Sequence, residues 1–280
     1  MGKSFTFGAA LACGPMTTSE APAPESLLPV LLVHGGGHGA WCWELLEPLL
    51  DGPHHAVDLP PTSVRRASSR AESPPDLFTL TAADFATAVL AETDALGWDR
   101  FLLVGHSLAG ITIPEVARRA PERVAHLVFV SASIPPEGGA VIDTLPTEIQ
   151  DLARGATERG LQSATTTNAL PVDLMTHMFC NDMDEAQTAF VLDHVGNEVV
   201  GVILEPITRA GIDPAIESTY VRLTQDQSVS PDMQTVMIEN LAASPGNPVH
   251  EVELDSAHDV MISNPALLAP VINNLARTHR

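Results

Sequence analysis

Short runs of consecutive apolar residues recur along the chain, and turn residues follow most of them. Such runs cover residues 29–33, 101–104 and 124–130. Continuous apolarity without polar alternation is typical of a strand that is covered on both faces of a parallel sheet. Between these runs, apolar residues repeat at helical spacing, most clearly over residues 81–96, where Gly97 ends the pattern. Alternating strands and helices predict an α/β fold, with a mostly parallel sheet and helices on both of its faces.

The same patterns predict further elements in both halves of the chain. Strands are expected at residues 55–59, 219–224 and 249–254, and helices at residues 41–50, 108–120, 231–242 and 265–277. Pro114 lies inside one of these helices and is expected to kink it, because proline lacks the N–H that a helix interior needs. Residues 1–26, rich in Pro, Ala, Ser and Thr towards their end, are expected to form a disordered leader.

Strand patterns disappear between residues 134 and 213. Short helical patterns at residues 147–160, 184–194 and 199–209 are rich in Met, Leu, Val and Phe. We therefore predict a helical cap over 134–213, inserted between core segments 27–133 and 214–280. Within the cap, Met175, Met178 and Phe179 are candidate lining residues of a substrate pocket, the alternative being that they only fill the core of the cap.

One apolar run leads directly into the segment GHSLA, residues 105–109, and a helical pattern follows. A serine between small residues at a strand-to-helix junction is typical of a nucleophile elbow, a tight turn that holds the serine backbone under strain. The usual pattern is G-x-S-x-G, and Ala109 in the last place adds one methyl group. The alternative interpretation of Ser107 is a residue that merely caps the helix.

A glycine loop, HGGGHG at residues 34–39, follows the first apolar run. Glycines leave backbone N–H groups unshielded, so we expect the N–H groups of Gly36 and Leu108 to form an oxyanion hole. The spacing does not match a phosphate-binding glycine motif. His34 and His38 lie four residues apart, but a glycine loop does not hold them on one helical face, so no metal is expected there.

Asp226 and His258 each follow the end of a predicted strand, as Ser107 does. The carboxyl ends of parallel strands share one edge, where such sheets bind their ligands. The chain order Ser, Asp, His is that of a catalytic triad. In such a triad the histidine takes the serine proton and the aspartate orients the histidine. We therefore expect Ser107, His258 and Asp226 to be catalytic. Asp255 and Asp259 are the alternative acids, but they share one short loop with His258 and cannot easily turn back to its ring.

Composition limits the partners and the compartment. A net charge of -21 disfavours nucleic acid and anionic membranes, because both would repel the chain. The three cysteines, Cys13, Cys42 and Cys180, are too scattered for a disulfide framework or a zinc cluster, which favours a reducing, cytoplasmic setting. No apolar run reaches the roughly 18 residues needed to span a bilayer.

From about residue 28 to 278 the chain resembles the α/β-hydrolase superfamily, and within it the branch of plant methyl-ester esterases and hydroxynitrile lyases with their bacterial relatives. The resemblance is carried by the segments VLLVHGGGHGAWCWELLEPLL, LLVGHSLAG, YVRLTQDQSVSPDMQ and ELDSAHDVMISNP. It implies the α/β-hydrolase fold and a cofactor-free enzyme with a small lidded pocket. Members of the branch are often dimers, so the resemblance also allows a homodimer.

Two positions distinguish the chemistries of this branch. The lyases resemble one another in a Thr directly after the first loop histidine and a Lys directly after the catalytic histidine, where this chain has Gly35 and Asp259. Without that ammonium group nothing obvious would stabilise a departing cyanide, so ester hydrolysis is favoured. Asp259 also differs from the apolar residue that is usual in the esterases, and a carboxylate at the pocket mouth would raise the pKa of His258 or repel anionic substrates.

The sequence thus predicts a serine hydrolase that cleaves a small-molecule carboxylic ester through an acyl-enzyme. The alternatives are the same triad acting on a lactone, a thioester or a carbon–carbon bond, and a ligand-binding protein with vestigial turnover. No cofactor, metal, nucleic acid or membrane partner is expected.

Overall fold

The structure, a computed structural model, describes residues 27–61, 79–145, 150, 171–196, 200–243 and 248–279. The expected leader and nearly all of the expected helix at 147–160 lie outside the described residues.

Six parallel strands form one sheet in the order β2-β1-β3-β4-β5-β6. The strands are β1 (Val30–Val33), β2 (His54–Val57), β3 (Phe101–His106), β4 (Val124–Val130), β5 (Ser218–Leu223) and β6 (Val249–Leu254). The parallel sheet predicted from the apolar runs is confirmed. The second strand begins and ends earlier than predicted, because Leu59 and its neighbours already belong to the loop beside His34.

Eight α-helices are found among the described residues. They are α1 (Ala82–Leu96), α2 (Thr112–Arg119), α3 (Val172–Phe179), α4 (Glu185–His194), α5 (Val200–Leu204), α6 (Pro231–Ala242), α7 (Val260–Ser263) and α8 (Pro265–Thr278). Helix α1 begins at a capping box formed by Thr81 and Asp84 and ends at Gly97, whose φ of 68° suits glycine.

The apolar core has two layers, one on each face of the sheet. Leu31 and Val33 of β1 point into the layer that contains helices α1, α2 and α6. Their neighbours Val30 and Leu32 point into the other layer, which contains α7 and α8. Because successive strand residues alternate between faces, a strand buried on both faces must be apolar throughout, as the sequence of β1 is.

The segment predicted as a helix at residues 41–50 forms two short 3₁₀ helices instead, Ala40–Trp43 and Glu47–Leu49. Its apolar residues are buried as expected, including Trp43 and Leu46. Pro48 lacks an N–H and its ring would clash with the carbonyl of the preceding turn, which disfavours a continuous α-helix through this segment.

The helix predicted at residues 108–120 is divided. A 3₁₀ helix, Ser107–Ile111, comes first, and α2 begins only at Thr112. Pro114 therefore lies in the first turn of α2, where its missing N–H leaves no helical hydrogen bond unmade. The expected kink is replaced by a change of helix type just before the proline.

Residues 134–213 contribute α3, α4 and α5, and no strand among their described residues. Helix α4 is confirmed, and α5 is shorter than the pattern at 199–209 suggested. The end of α4 reaches the glycine loop, where the Gly196 N–H donates to the Gly37 carbonyl at 2.8 Å. None of the helices in the described part of the chain combines the length and the apolarity needed to cross a membrane.

Candidate active site

Ser107 follows β3 directly and has a φ of 51°, a backbone conformation that costs free energy in a residue other than glycine. Close packing holds the turn. A Cβ on Gly105 would lie 2.9 Å from Ile113 Cγ2 and 3.1 Å from Ala109 Cβ, so glycine at 105 leaves the space that the Ala109 methyl uses. The departure from the usual motif is therefore accommodated in this turn.

The structure brings together the three residues that the sequence nominated. His258 Nε2 lies 3.0 Å from Ser107 Oγ, and His258 Nδ1 lies 2.6 Å from Asp226 Oδ2. The three residues follow β3, β5 and β6, at the carboxyl edge of the sheet. Asp226 and His258 are fully buried while Ser107 is partly exposed, so Ser107 is the one of the three that solvent reaches. Neither of the alternative acids takes the place of Asp226. Asp255 accepts hydrogen bonds from Thr224 and Gln225, and Asp259 Oδ2 is paired with His38.

The carboxylate of Asp226 is held by four donors. Oδ1 accepts from the backbone N–H groups of Ser228 and Val229, at 2.7 and 2.8 Å. Oδ2 accepts from His258 and, at 2.5 Å, from the hydroxyl of Ser131. Ser131 directly follows β4 and has a φ of 39°, and it is the second non-glycine residue with a positive φ among the described residues. No sequence pattern indicates this contact, because a serine at a strand end is common and its partner lies 95 residues away.

The glycine loop and the elbow lie side by side, since a Cβ on Gly35 would come within 2.7 Å of Ser107 Cβ. His34 Nδ1 donates to the Gly35 carbonyl at 2.8 Å, and the Ser133 N–H donates to the Ser107 carbonyl at 2.9 Å. The C=O and N–H of one peptide point in opposite directions, so these bonds also fix the directions of the Gly36 and Leu108 N–H groups. Both residues are partly exposed.

A second histidine–aspartate pair lies behind His258. His38 Nε2 is 2.9 Å from Asp259 Oδ2, and His38 Nδ1 is 2.7 Å from the Gly36 carbonyl. Both ring nitrogens of His38 therefore lie within hydrogen-bond distance of an oxygen. Asp259 is fully buried, so the expectation of a carboxylate at the pocket mouth is wrong. The pair joins the glycine loop to the residue after His258.

The ionisation of these groups follows from burial and charge. Burial would raise the pKa of Asp259, but the charge and hydrogen bond of His38 hold it below its ordinary value. Burial would lower the pKa of His258, but the charge and hydrogen bond of Asp226, with the charge of Asp259, raise it above its ordinary value. Burial and the charge of His258 lower the pKa of His106 well below its ordinary value, and neutral His106 Nε2 donates to the His258 carbonyl at 3.0 Å.

The three candidate lining residues all belong to α3, but they differ in their distance from the triad. The Phe179 ring stacks on the His258 ring with centroids 5.7 Å apart and also meets the His38 ring edge-on at 5.2 Å. Met175 is buried in the core layer of α7 and α8, and Met178 packs against the same layer while partly exposed. Phe179 thus contacts the triad directly, through the His258 ring.

Comparisons with known proteins agree with this architecture. Residues 30–271 match the model of the alpha/beta hydrolase family. Methylesterase 9 of Arabidopsis thaliana is 29% identical over 252 residues, which cover 84% of this chain and 93% of the relative. Esterase PIR7B of Oryza sativa subsp. japonica is 26% identical over 267 residues, covering 89% and 96%.

A solved structure, an extracellular α/β-hydrolase from a Paenibacillus species, superposes with a TM-score of 0.69 at 19% identity, covering 89% of this chain and 99% of that one. This chain belongs to the alpha/beta hydrolase family. The fold and the resemblance predicted from the sequence are confirmed.

Proposed function

We propose that the protein is a carboxylic ester hydrolase that acts through an acyl-enzyme on Ser107. The observation that carries the proposal is the position of the His258 ring, 3.0 Å from the Ser107 hydroxyl on one side and 2.6 Å from the Asp226 carboxylate on the other. A serine hydroxyl becomes nucleophilic when a neighbouring base can accept its proton, and the buried carboxylate fixes the ring with Nε2 as that base.

In the first half of the reaction, Ser107 Oγ attacks the ester carbonyl while its proton passes to His258 Nε2. The bond between the carbonyl carbon and the alcohol oxygen then breaks, and His258 gives the proton to the departing alcohol. The product at this stage is an ester between Ser107 and the acyl group. In the second half, His258 takes a proton from water, the hydroxide oxygen attacks the acyl carbon, and the acid leaves as Ser107 regains its proton.

Negative charge develops on the former carbonyl oxygen in both halves, and we assign its stabilisation to the N–H groups of Gly36 and Leu108. The assignment is supported by the fixed orientation of both N–H groups, since hydrogen bonds to the Gly35 and Ser107 carbonyls hold the two peptides in place before the reaction. Donors fixed in advance need no rearrangement when the charge appears, which is the main source of such stabilisation.

The segment 134–213 is proposed to be the cap over this site. Phe179 lies against His258, and Asn181 Nδ2 donates to the Gln225 carbonyl at 2.9 Å, beside Asp226. The curated relatives bear the names methylesterase and esterase, which favours esters of small alcohols as substrates. Cyanohydrin cleavage is disfavoured, because Gly35 leaves no room for a threonine beside Ser107 and Asp259 supplies a carboxylate where the lyases have a lysine.

The test is hydrolysis of p-nitrophenyl acetate by the wild type and by Ser107→Ala. We expect the variant to lose all activity above background and to keep the wild-type circular dichroism spectrum and Tm. A fluorophosphonate probe should label Ser107 in the wild type, identified by mass spectrometry of the peptide, and should leave Ser107→Ala unlabelled. Unchanged turnover in the variant contradicts the mechanism, and an unlabelled wild type favours a ligand-binding protein. Lactone and cyanohydrin substrates assayed in parallel distinguish ester hydrolysis from the alternative chemistries.

A further inference from the structure

A second group of chemically active side chains lies at the amino ends of the strands, opposite the carboxyl ends where Ser107 lies. A pocket of about 530 Å³ there is lined in part by Glu217, Thr219, His250 and His279. Glu217 and His250 lie at the starts of β5 and β6, whereas the triad follows the strand ends. The length of β5 separates the two edges by about 17 Å. This pocket plays no part in the proposed ester hydrolysis.

Three of the residues at this edge bring ligand atoms together. One nitrogen of His126, one carboxylate oxygen of Glu217 and one nitrogen of His279 all lie within 4.8 Å of one another. The rings of His126 and His279 are 4.2 Å apart between centroids. His126 belongs to β4, Glu217 precedes β5, and His279 follows α8, so the cluster joins three separate parts of the chain.

The buried member of the cluster has unused coordinating capacity. His126 is fully buried, and its Nε2 lies 2.8 Å from Thr219 Oγ1. Its Nδ1 has no hydrogen-bond partner within the described part of the chain. A buried ring nitrogen without a partner costs free energy, and a ligand could remove that cost.

We infer that His126, Glu217 and His279 form a binding site for a borderline transition-metal ion such as Zn²⁺. Two imidazoles and one carboxylate suit Zn²⁺, whereas Mg²⁺ and Ca²⁺ prefer oxygen ligands alone. Ligand atoms around tetrahedral Zn²⁺ lie about 3.3 Å apart at metal–ligand distances of about 2.0–2.1 Å. Small rotations of the partly exposed Glu217 and His279 side chains would close the cluster to that size.

The surroundings support this assignment. His250 Nε2 lies 3.2 Å from Glu217 Oε2 and can orient the carboxylate, as hydrogen-bond partners of metal ligands commonly do. Arg100 Nη1 donates to the His279 carbonyl at 3.1 Å and holds the end of α8 in place. Three protein ligands leave a fourth position open towards the pocket. An ion bound there would tie the end of α8 to β4 and β5.

A second histidine–carboxylate group, His106, His258 and Asp259, also lies within ligand distance but is a poorer candidate. Both ring nitrogens of His258 are engaged by Asp226 and Ser107, and His106 Nε2 bonds the His258 carbonyl. The sequence did not suggest the first cluster, because its members are spread over residues 126–279 without any local ligand spacing.

The experiment is a Zn²⁺ titration of the full chain, produced without a histidine tag and stripped with a chelator, by competition with a chromophoric indicator. We expect one Zn²⁺ per chain and a rise in Tm on binding, since a ligand of the folded state stabilises it. His279→Ala should weaken binding at least tenfold and abolish the rise in Tm, and Glu217→Gln should weaken binding by a smaller factor. Mg²⁺ should bind no variant measurably.

The matched control is His177→Ala, which removes an exposed histidine of α3 and should leave affinity unchanged. His126→Asn tests the buried ligand, with circular dichroism to verify its fold. His258→Ala tests the other cluster. The inference is overturned if the wild type takes up no Zn²⁺ at tenfold molar excess, if His279→Ala binds like the wild type, or if binding is lost in His258→Ala and kept in His279→Ala.

Discussion

Ser131 donates a 2.5 Å hydrogen bond to Asp226, on the same carboxylate oxygen that faces His258. The contact runs between the ends of β4 and β5, and a strained backbone at Ser131, with a φ of 39°, aims the hydroxyl at the acid. Strain of this kind persists where the surrounding structure imposes it, and it clusters at functional sites. Ser131 is therefore a positioning residue that would act on the reaction through Asp226.

Ser131→Ala is expected to lower kcat for ester hydrolysis about tenfold with little change in KM, since a hydrogen bond to a charged group is worth about 1.5–3 kcal/mol. The carboxylate keeps its two backbone donors, so the fold should survive. With one donor fewer, Asp226 should attract the His258 proton more strongly and move the acid limb of the kcat/KM profile to higher pH.

The matched control for this prediction is Ser133→Ala, because the contact of Ser133 with the elbow runs through its backbone N–H. Its kinetics should equal those of the wild type. If Ser131→Ala lowers kcat but leaves the acid limb unshifted, the loss comes from general structural damage and not from the missing hydrogen bond to Asp226.

Asp259→Asn is expected to move the acid limb of kcat/KM to lower pH. The enzyme is active when His258 is neutral, so activity falls as the pH drops through the His258 pKa, which is raised above its ordinary value. Asp259 contributes to that raised pKa through its charge, and removing the charge lowers it. The measurement is a pH profile of kcat/KM for a neutral ester.

Asp255→Asn is the control, because this carboxylate lies three residues before His258 but is fully exposed and binds Thr224 and Gln225. Its profile should overlay that of the wild type. A limb that moves to higher pH in Asp259→Asn, or that moves equally in both variants, would rule out the assigned effect of Asp259 on His258.

The sheet and the meeting of Ser107, Asp226 and His258 could be predicted because both depend on local patterns. Parallel strands place their carboxyl ends at one edge of the sheet, so residues that directly follow strands share that edge whatever the order of the strands. Contacts between loops have no such rule. The pairing of His38 with Asp259 spans 221 residues and depends on how the glycine loop and the His258 loop bend. Nor could a hydrophobic pattern show that the segment after the glycine loop forms two short 3₁₀ helices and not one α-helix.

Asp182→Ala is expected to destabilise the protein by about 2–4 kcal/mol, since it leaves several partly buried donors without their acceptor. Its Oδ2 accepts from four donors on either side of His258, namely Ser256 Oγ and the Ala257 N–H before it and, at the end of α7, Ser263 Oγ and Asn264 Nδ2. Urea unfolding measures the loss, and kcat per folded molecule should also fall because His258 loses its support. Asp193→Ala, an exposed carboxylate on α4, should change neither quantity.

Gly35→Ala is expected to reduce kcat at least tenfold. The added methyl would lie 2.7 Å from Ser107 Cβ and 3.0 Å from the His106 carbonyl, so the glycine loop and the elbow must separate. Separation moves the Gly36 N–H relative to Ser107, and misplacing a catalytic group by about 1 Å can cost about a hundredfold in rate. Steady-state kinetics with p-nitrophenyl acetate, normalised to active sites by fluorophosphonate titration, measures the effect.

Gly97→Ala is the control for this prediction. Its φ of 68° predicts lost stability, but a Cβ there meets nothing within 4 Å, so kcat should stay at the wild-type value. A wild-type kcat in Gly35→Ala would show that the loop yields without displacing the donor, and the assignment of Gly36 to the oxyanion would then fail.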